Sequence, residues 1–425
     1  MPGLSAIIAF SLTLGLVLFR PKIGRLPSPG LVAPVAIGIV IMLAGGAIST
    51  TDVAAAFQDL AKPLLGLTCI CVSAGLARSL GLIDRLAHLV VPAAKGPVYR
   101  AFGVVFAMSF IVAAIFNNDA AVLALTPMVI ALLRRLYPIR RDQLLEPFAF
   151  AVFAAAGVAP LVISNPMNFV VATIAGIGFN AYAVRMVPVA ILSSSVAYLV
   201  LRAFYRRELY DEAPATGTVP PPAELSRAAR EAGFVLAVTL LAFPVVTAFG
   251  GPVLVVSFAS AATLVVIALA RGAVSPREIA AEVPFPILGF LLGMFVLVRG
   301  LENAGAVAFL QSIYATLPEG PARIFGVGGV SSIGSALLNN HPMALLNAVA
   351  LAPKEGGDPS PVLAALVGGD LGPRLLPTGS LAGLLWLEWL RREGVAISLR
   401  RYVMLGIIMT IPSLFVGLAV LILVS

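Results

Sequence analysis

The stretch VGGDLGPRLLPTGS, residues 367–380, lies inside an apolar window, Pro361 to Leu390, that reads as membrane-spanning, yet it holds Asp370, Arg374, two prolines and four glycines. Proline lacks a backbone N–H and clashes with the preceding turn, so Pro373 and Pro377 should break the helix in mid-membrane. Such a break is tolerated only inside protein or facing a water-filled cavity. There it frees N–H and carbonyl groups that can hold a polar solute. GVAPLVISNPMNF, residues 157–169, repeats the pattern with Pro160 and Pro166. The pair of breaks points to a helical membrane protein built in two halves around a central site.

Composition agrees. Of 425 residues, 60% are hydrophobic and 11% charged, with mean hydropathy +1.03, beyond what a water-soluble domain tolerates. In the first apolar run, Leu4 to Phe19, the cations Arg20, Lys22 and Arg25 follow rather than precede, so a retained span is expected instead of a cleaved signal. The net charge of +8 sits in short clusters between apolar segments, the pattern of topology determinants, and no nucleic-acid partner is expected. Cys69 and Cys71, two apart, point about 200° from each other on a helix and cannot chelate one ion. The only histidines, His88 and His341, lack ligands at metal spacing. Neither a disulfide framework, a protein-bound metal nor another cofactor is expected. No phosphate-binding loop occurs, so any ATP hydrolysis falls to another subunit. No acid/base or nucleophile constellation suggests an enzyme. Trp386 and Trp389, near Arg391, read as an interfacial belt.

Apolar windows run Leu4 to Phe19, Leu31 to Ser49, Leu60 to Arg78, Ala101 to Leu133, Pro147 to Gly176 and Val184 to Ala203. After a polar linker come Ala232 to Phe249, Val253 to Ala270, Pro284 to Arg299, Ile324 to Ala352, Pro361 to Leu390 and Tyr402 to Val424. The boundaries are therefore residues 1–204, a linker at 205–231, and 232–425. GPVYRAFGVV from Gly96 leads to Asn117-Asn118, and GPARIFGVGG from Gly320 leads to Asn339-Asn340, the same signals in the same order. The fourth window of each half has arms of about 15 residues around its Asn-Asn, short of the roughly 20 a span needs. Each is expected to be a re-entrant hairpin with Asn-Asn at its buried tip. The fold expected is an all-α polytopic membrane protein of two inverted repeats, each with five transmembrane spans plus one re-entrant helical hairpin, and broken helices at the midplane. With the N- and C-termini periplasmic and the linker cytoplasmic, every Lys and Arg except Lys62, Arg185, Arg299, Arg323, Lys354 and Arg374 falls in an inner loop, as the positive-inside rule asks.

The side chains brought to the midplane are Asn117, Asn118, Asp119, Ser164, Asn165 and Asn168 from one half. The other half supplies Asn339, Asn340, His341, Thr378, Gly379 and Ser380. Most are neutral donors and acceptors, which suit a small, uncharged, hydroxyl-bearing solute better than a strong anion. A charge at mid-bilayer costs roughly 2.5–3.5 kcal/mol on insertion scales, so Asp119 and Asp370 need reasons to be there. Asp370 has Arg374 four residues on, the favourable order for a structural ion pair. Asp119 has no basic residue within ten positions on either side and is the expected proton carrier.

FNNDAAVLALTP, SNPMNFVVA, LLNNHPMALL and above all GGDLGPRLLPTGSLAGLLWLEWLRR resemble the ArsB family of arsenite and antimonite efflux permeases, over nearly the whole chain. The resemblance implies export of trivalent arsenic and antimony across the bacterial inner membrane in exchange for protons, and in some members docking of an ArsA-type ATPase. It implies a site formed by hairpin tips and broken helices, here Asn117 to Asp119, Ser164 and Asn165, Asn339 and Asn340, and Thr378 to Ser380. His341 departs from the aliphatic residue expected at its position. The alternative within the same superfamily is a sodium/proton antiporter or an oxyanion transporter; sodium would favour more carboxylates at the tips.

Overall fold

A computed structural model describes residues 2–19, 30–82, 90–139, 141–210, 224–351 and 357–425, with 85, 88 and 217 singly, and the described residues form helices and no strands. The cations Arg20, Lys22, Arg25, Arg140 and Lys354, and linker residues 211–216 and 218–223, lie outside the described residues. Among the described residues, seven helices are long and apolar enough to cross a membrane: Thr50–Ser79, Val98–Ile115, Phe179–Phe204, Arg227–Ala248, Val253–Ala270, Pro276–Asn303 and Leu399–Val424.

Three boundaries differ from expectation, each for a local reason. The second window holds only the 13-residue helix Val32–Ala44, about 20 Å at 1.5 Å per residue, because the chain turns at Gly45 and at Gly46 with φ 67°. The third helix begins at Thr50, not Leu60: Ser49 and Asp52 form a capping box, the Ser49 N–H donating to Asp52 Oδ2 at 2.7 Å. Three hairpin arms are longer than the expected 15 or so residues, at 18 and 19 in Val98–Ile115 and Asn118–Leu136 and 18 in Pro321–Leu338, and the fourth, Asn340–Ala350, is shorter at 11. Arm length therefore argues for re-entrance only at Asn340–Ala350, which covers about 17 Å.

Both expected breaks are present. Arg141–Ala155 gives way to a 3-10 turn, Val162–Ser164, and then to Pro166–Ile174. Ser360–Leu371 gives way to 3-10 turns Gly372–Arg374 and Pro377–Gly379, then to Leu381–Arg392. Pro166, Pro373 and Pro377 sit in the first turn of the segment that follows, where a missing N–H costs nothing. The local geometry recurs: Asn165 at φ −141°, ψ 128° and Ser380 at φ −145°, ψ 138° cap the helices beginning at Pro166 and Leu381.

The halves interlock. Leu381–Arg392 packs on Asn118–Leu136 of the first hairpin, Pro166–Ile174 packs on Asn340–Ala350 of the second, and Phe179–Phe204 lies along Leu399–Val424. Within the second half, Ser360–Leu371 approaches Pro321–Leu338 so closely that a Cβ on Gly368 would collide with the Gly328 carbonyl, the small-residue contact by which membrane helices gain packing energy. Trp386 does not form an interfacial belt. It is 1% exposed and stacked on Phe153 at 4.6 Å, because the second broken helix inserts into the core of the first hairpin. Among the described residues, four long-range ion pairs join segments that the charge pattern assigns to the inner side, Arg78–Glu282, Arg134–Glu393, Arg271–Glu231 and Arg401–Glu146, and a fifth, Arg299–Asp59, joins segments assigned to the outer side.

Candidate functional site

Each hairpin tip is built by its first asparagine. Asn117 Oδ1 accepts the Asp119 N–H at 2.8 Å, and Asn339 Oδ1 accepts the His341 N–H at 3.3 Å, so both residues start the returning helix. Asn339 also has φ 80° and ψ 148°, the one positive φ at a described non-glycine residue. Its Nδ2 holds the strained turn by donating to the Thr378 carbonyl at 3.2 Å. Tip and broken helix are then tied within each half. The Ser164 hydroxyl donates to the Ala114 carbonyl, Thr378 Oγ1 to the Ala336 carbonyl, and Asn118 Nδ2 to the Gly157 carbonyl.

The four helices that begin at Asn118, Pro166, Asn340 and Leu381 meet at a cavity of about 30 Å³, lined among others by Asn118, Asp119, Asn165, Asn340, Asp370, Arg374 and Ser380. A vestibule of about 360 Å³ adjoins it. Asn117, Asp119, Cys71, Phe290 and His341 line that vestibule, with Arg78 and Glu282 at one end; Asp119 and Ala382 belong to both spaces. Four helix N-termini give the cavity an excess of positive partial charge, which favours oxygen lone pairs. A separate recess of about 720 Å³, lined by Glu319, Arg323 and Asp358, shares no residue with either.

Of the residues read from the sequence, Asn117, Asn118, Asp119, Asn165, Asn340, His341 and Ser380 thus line the two spaces. Ser164, Asn168, Asn339, Thr378 and Gly379 do not; they hold the frame. Asn168, buried, donates to the Tyr182 hydroxyl and to Asp370 Oδ2, both at 2.9 Å.

The expected Asp370–Arg374 ion pair is not formed. The helix ends at Leu371, so the i,i+4 spacing no longer stacks the two side chains, and each reaches across to the first half. Asp370 accepts from the Ala159 N–H at 2.9 Å, from Asn165 Nδ2 at 2.8 Å and from Asn168 Nδ2 at 2.9 Å, three donors matched to an acceptor-only carboxylate. Arg374, 2% exposed, donates Nη2 to the Ala154 carbonyl, while its Nε and Nη1 have no hydrogen-bond partner. Tyr182 was not anticipated: its hydroxyl bridges Asn168 to the Ala159 carbonyl at 3.0 Å, and nothing in its local sequence signals that role. Asp119, which lines both vestibule and cavity, has no hydrogen bond to its carboxylate among the described residues.

A family model described as arsenical pump membrane protein, ArsB, matches residues 5–424. An Escherichia coli (strain K12) protein named arsenical pump membrane protein is 32% identical over 426 residues, covering 97% of this chain and 96% of that one. One of the same name from Yersinia enterocolitica is 36% identical over 324 residues, 73% and 74% of the two chains. The crystal structure of the Alcanivorax borkumensis YdaH transporter, described as having an unusual topology, is similar with a TM-score of 0.59 over 99% of this chain and 98% of that chain, at 15% identity, a likeness of fold alone. A match along almost the whole chain, joined to seven helices fit to cross a bilayer, makes this a multi-pass membrane protein that belongs to the ArsB family.

Proposed function

We propose that the protein exports arsenite, and antimonite, from the cytoplasm in exchange for protons, with the cavity between the hairpin tips as solute site and Asp119 as proton carrier. The observation that carries this reading is the meeting of both tips and both broken helices at one small cavity that shares Asp119 and Ala382 with a vestibule. Arsenite near neutral pH is mostly As(OH)3, an uncharged triol that donates and accepts hydrogen bonds, and amides, a hydroxyl and helix N-termini match it without a counter-ion. The membrane potential does no work on a neutral solute, so accumulation needs a coupled ion; one proton contributes about 2.3 kcal/mol per 100 mV. An ionised Asp119 accepts an O–H from the triol in a charge-assisted hydrogen bond, about twice as strong as the neutral one left to its carbonyl oxygen after protonation. Solute and proton therefore weaken each other's binding, which is the requirement for exchange. The names of the Escherichia coli and Yersinia relatives support arsenic as the cargo.

In the membrane, the two halves are inverted repeats with hairpins re-entrant from opposite faces. The termini are periplasmic, and the linker and the Arg78–Glu282 end of the vestibule are cytoplasmic, so the vestibule is the route in. Each long-range ion pair among the described residues joins segments placed on the same side, four on the cytoplasmic side and Arg299–Asp59 on the other, which supports this placement. An ArsA-type ATPase would dock on that face, and copurification tests it. The decisive experiment is arsenite uptake into everted vesicles. Accumulation should require an imposed proton gradient, and Asp119→Asn should lose it while retaining arsenite exchange. Gradient-independent accumulation, or a normal pH dependence in the variant, defeats the reading.

A further inference from the structure

We infer that transport moves a single proton per solute, because Arg374 is a built-in counter-charge that balances one of the two carboxylates at the site and leaves only one to be neutralised from outside. The inference rests on the proposed proton exchange and specifies its stoichiometry.

Three formally charged side chains line the 30 Å³ cavity: Asp119, Asp370 and Arg374. The two aspartates come from different halves, Asp119 from the first tip and Asp370 from the second broken helix. Arg374, which lines the cavity, is held there by its contact with the Ala154 carbonyl, and its Nε and Nη1 are left without a hydrogen-bond partner. A buried guanidinium without a balancing anion costs several kcal/mol. Asp370, in the same cavity and framed by three N–H donors, supplies that anion although no direct ion pair is made. The first half has nothing equivalent. Matching the helix caps Asn165 and Ser380 puts Ala155 opposite Asp370 and Ala159 opposite Arg374, so the whole balanced set comes from one half and Asp119 is the remainder.

The other groups that face Asp119 do not change this sum. Arg78 and Glu282, at the vestibule, are paired at 2.9 Å. His341 Nδ1 lies 3.1 Å from Asn339 Oδ1, an acceptor, so that nitrogen carries hydrogen, and the ring meets Phe290 edge-on at 5.6 Å. Tyr182 and Tyr402 donate their hydroxyls to the Ala159 and Pro373 carbonyls. Cys71, on the vestibule wall, adds no fixed charge. The site then crosses the membrane with net charge −1 beside the neutral solute and 0 beside the proton, and one charge moves per cycle.

The limiting arsenite gradient in everted vesicles reads the number directly. With the membrane potential clamped to zero and a pH difference of one unit, accumulation should stop near tenfold; a limit near a hundredfold means two protons and overturns the inference. Arg374→Lys should keep the tenfold limit. Arg374→Gln should raise it toward a hundredfold, and Asp370→Asn combined with Arg374→Gln should bring it back; an unchanged limit in Arg374→Gln also overturns the inference. His341→Asn, whatever its rate, should stay at tenfold, and loss of the limit there would make His341 the carrier instead. The wild-type limit needs no variant, so poor folding of Arg374→Gln does not remove the test. If wild-type vesicles accumulate nothing under a proton gradient, it is the proposed function that fails, and the stoichiometry with it.

Discussion

The two hairpin tips have the same Asn-Asn sequence, the same Asx cap and a hydroxyl-to-carbonyl tie to their own broken helix, yet they differ in the residue that follows, Asp119 in one and His341 in the other. The broken helices differ in the same way: Asp370 and Arg374 stand where the first half has Ala155 and Ala159. Backbone architecture is thus repeated while charge is not. In the proposed exchange, the recurring frame would hold the solute from two sides, and the charges present in one copy only would give one place for a proton to couple.

Four tests break or sharpen that comparison. The largest contrast is between Asp119→Asn and His341→Asn: the first should abolish proton-driven arsenite accumulation in vesicles, and the second should leave it coupled. Next, Asp370→Ala removes the anion beside buried Arg374 and strands three donors, a loss of about 3–5 kcal/mol expected as a lowered unfolding temperature in detergent. Alanine at its counterpart position is already the native residue. Third, Asn339→Ala keeps the strained φ 80° but loses the side chain that holds it, and should cost about 2 kcal/mol more than Asn117→Ala, where no positive φ is present. Asn339→Gly should recover part of the difference; a glycine variant less stable than the alanine one would remove strain as the cause. Smallest, Ser380→Ala deletes the cap of Leu381–Arg392, whose oxygen accepts from the Ala382 and Gly383 N–H groups, for about 1 kcal/mol in the same melt.

Much of this was legible along the chain because it is local. Gly-Pro at 96–97 and 320–321 opens each hairpin, since proline suits a helix start and not its middle. The prolines at 166, 373 and 377 mark the new segments of the broken helices for the same reason. The Gly45-Gly46 turn and the Ser49–Asp52 box were equally local, but hydropathy windows passed over them because polar residues at a helix start look like the end of an apolar run.

What could not be read locally lies in contacts between separate elements, those of Asp370 and Trp386 with residues more than two hundred positions away. Sequence by itself determined the helical membrane class, the two breaks, the Asn-Asn tips and the isolation of Asp119, because proline chemistry, capping and hydropathy act within a few residues. Only the tertiary structure decided that Asp370 turns from Arg374 to the Asn165 and Asn168 amides, that Trp386 is core, and that Asn168 and Thr378 brace the site without lining it. Those outcomes depend on which broken helix packs against which hairpin, and the interlock places each second arm against the other half, where no local spacing rule can see its partners.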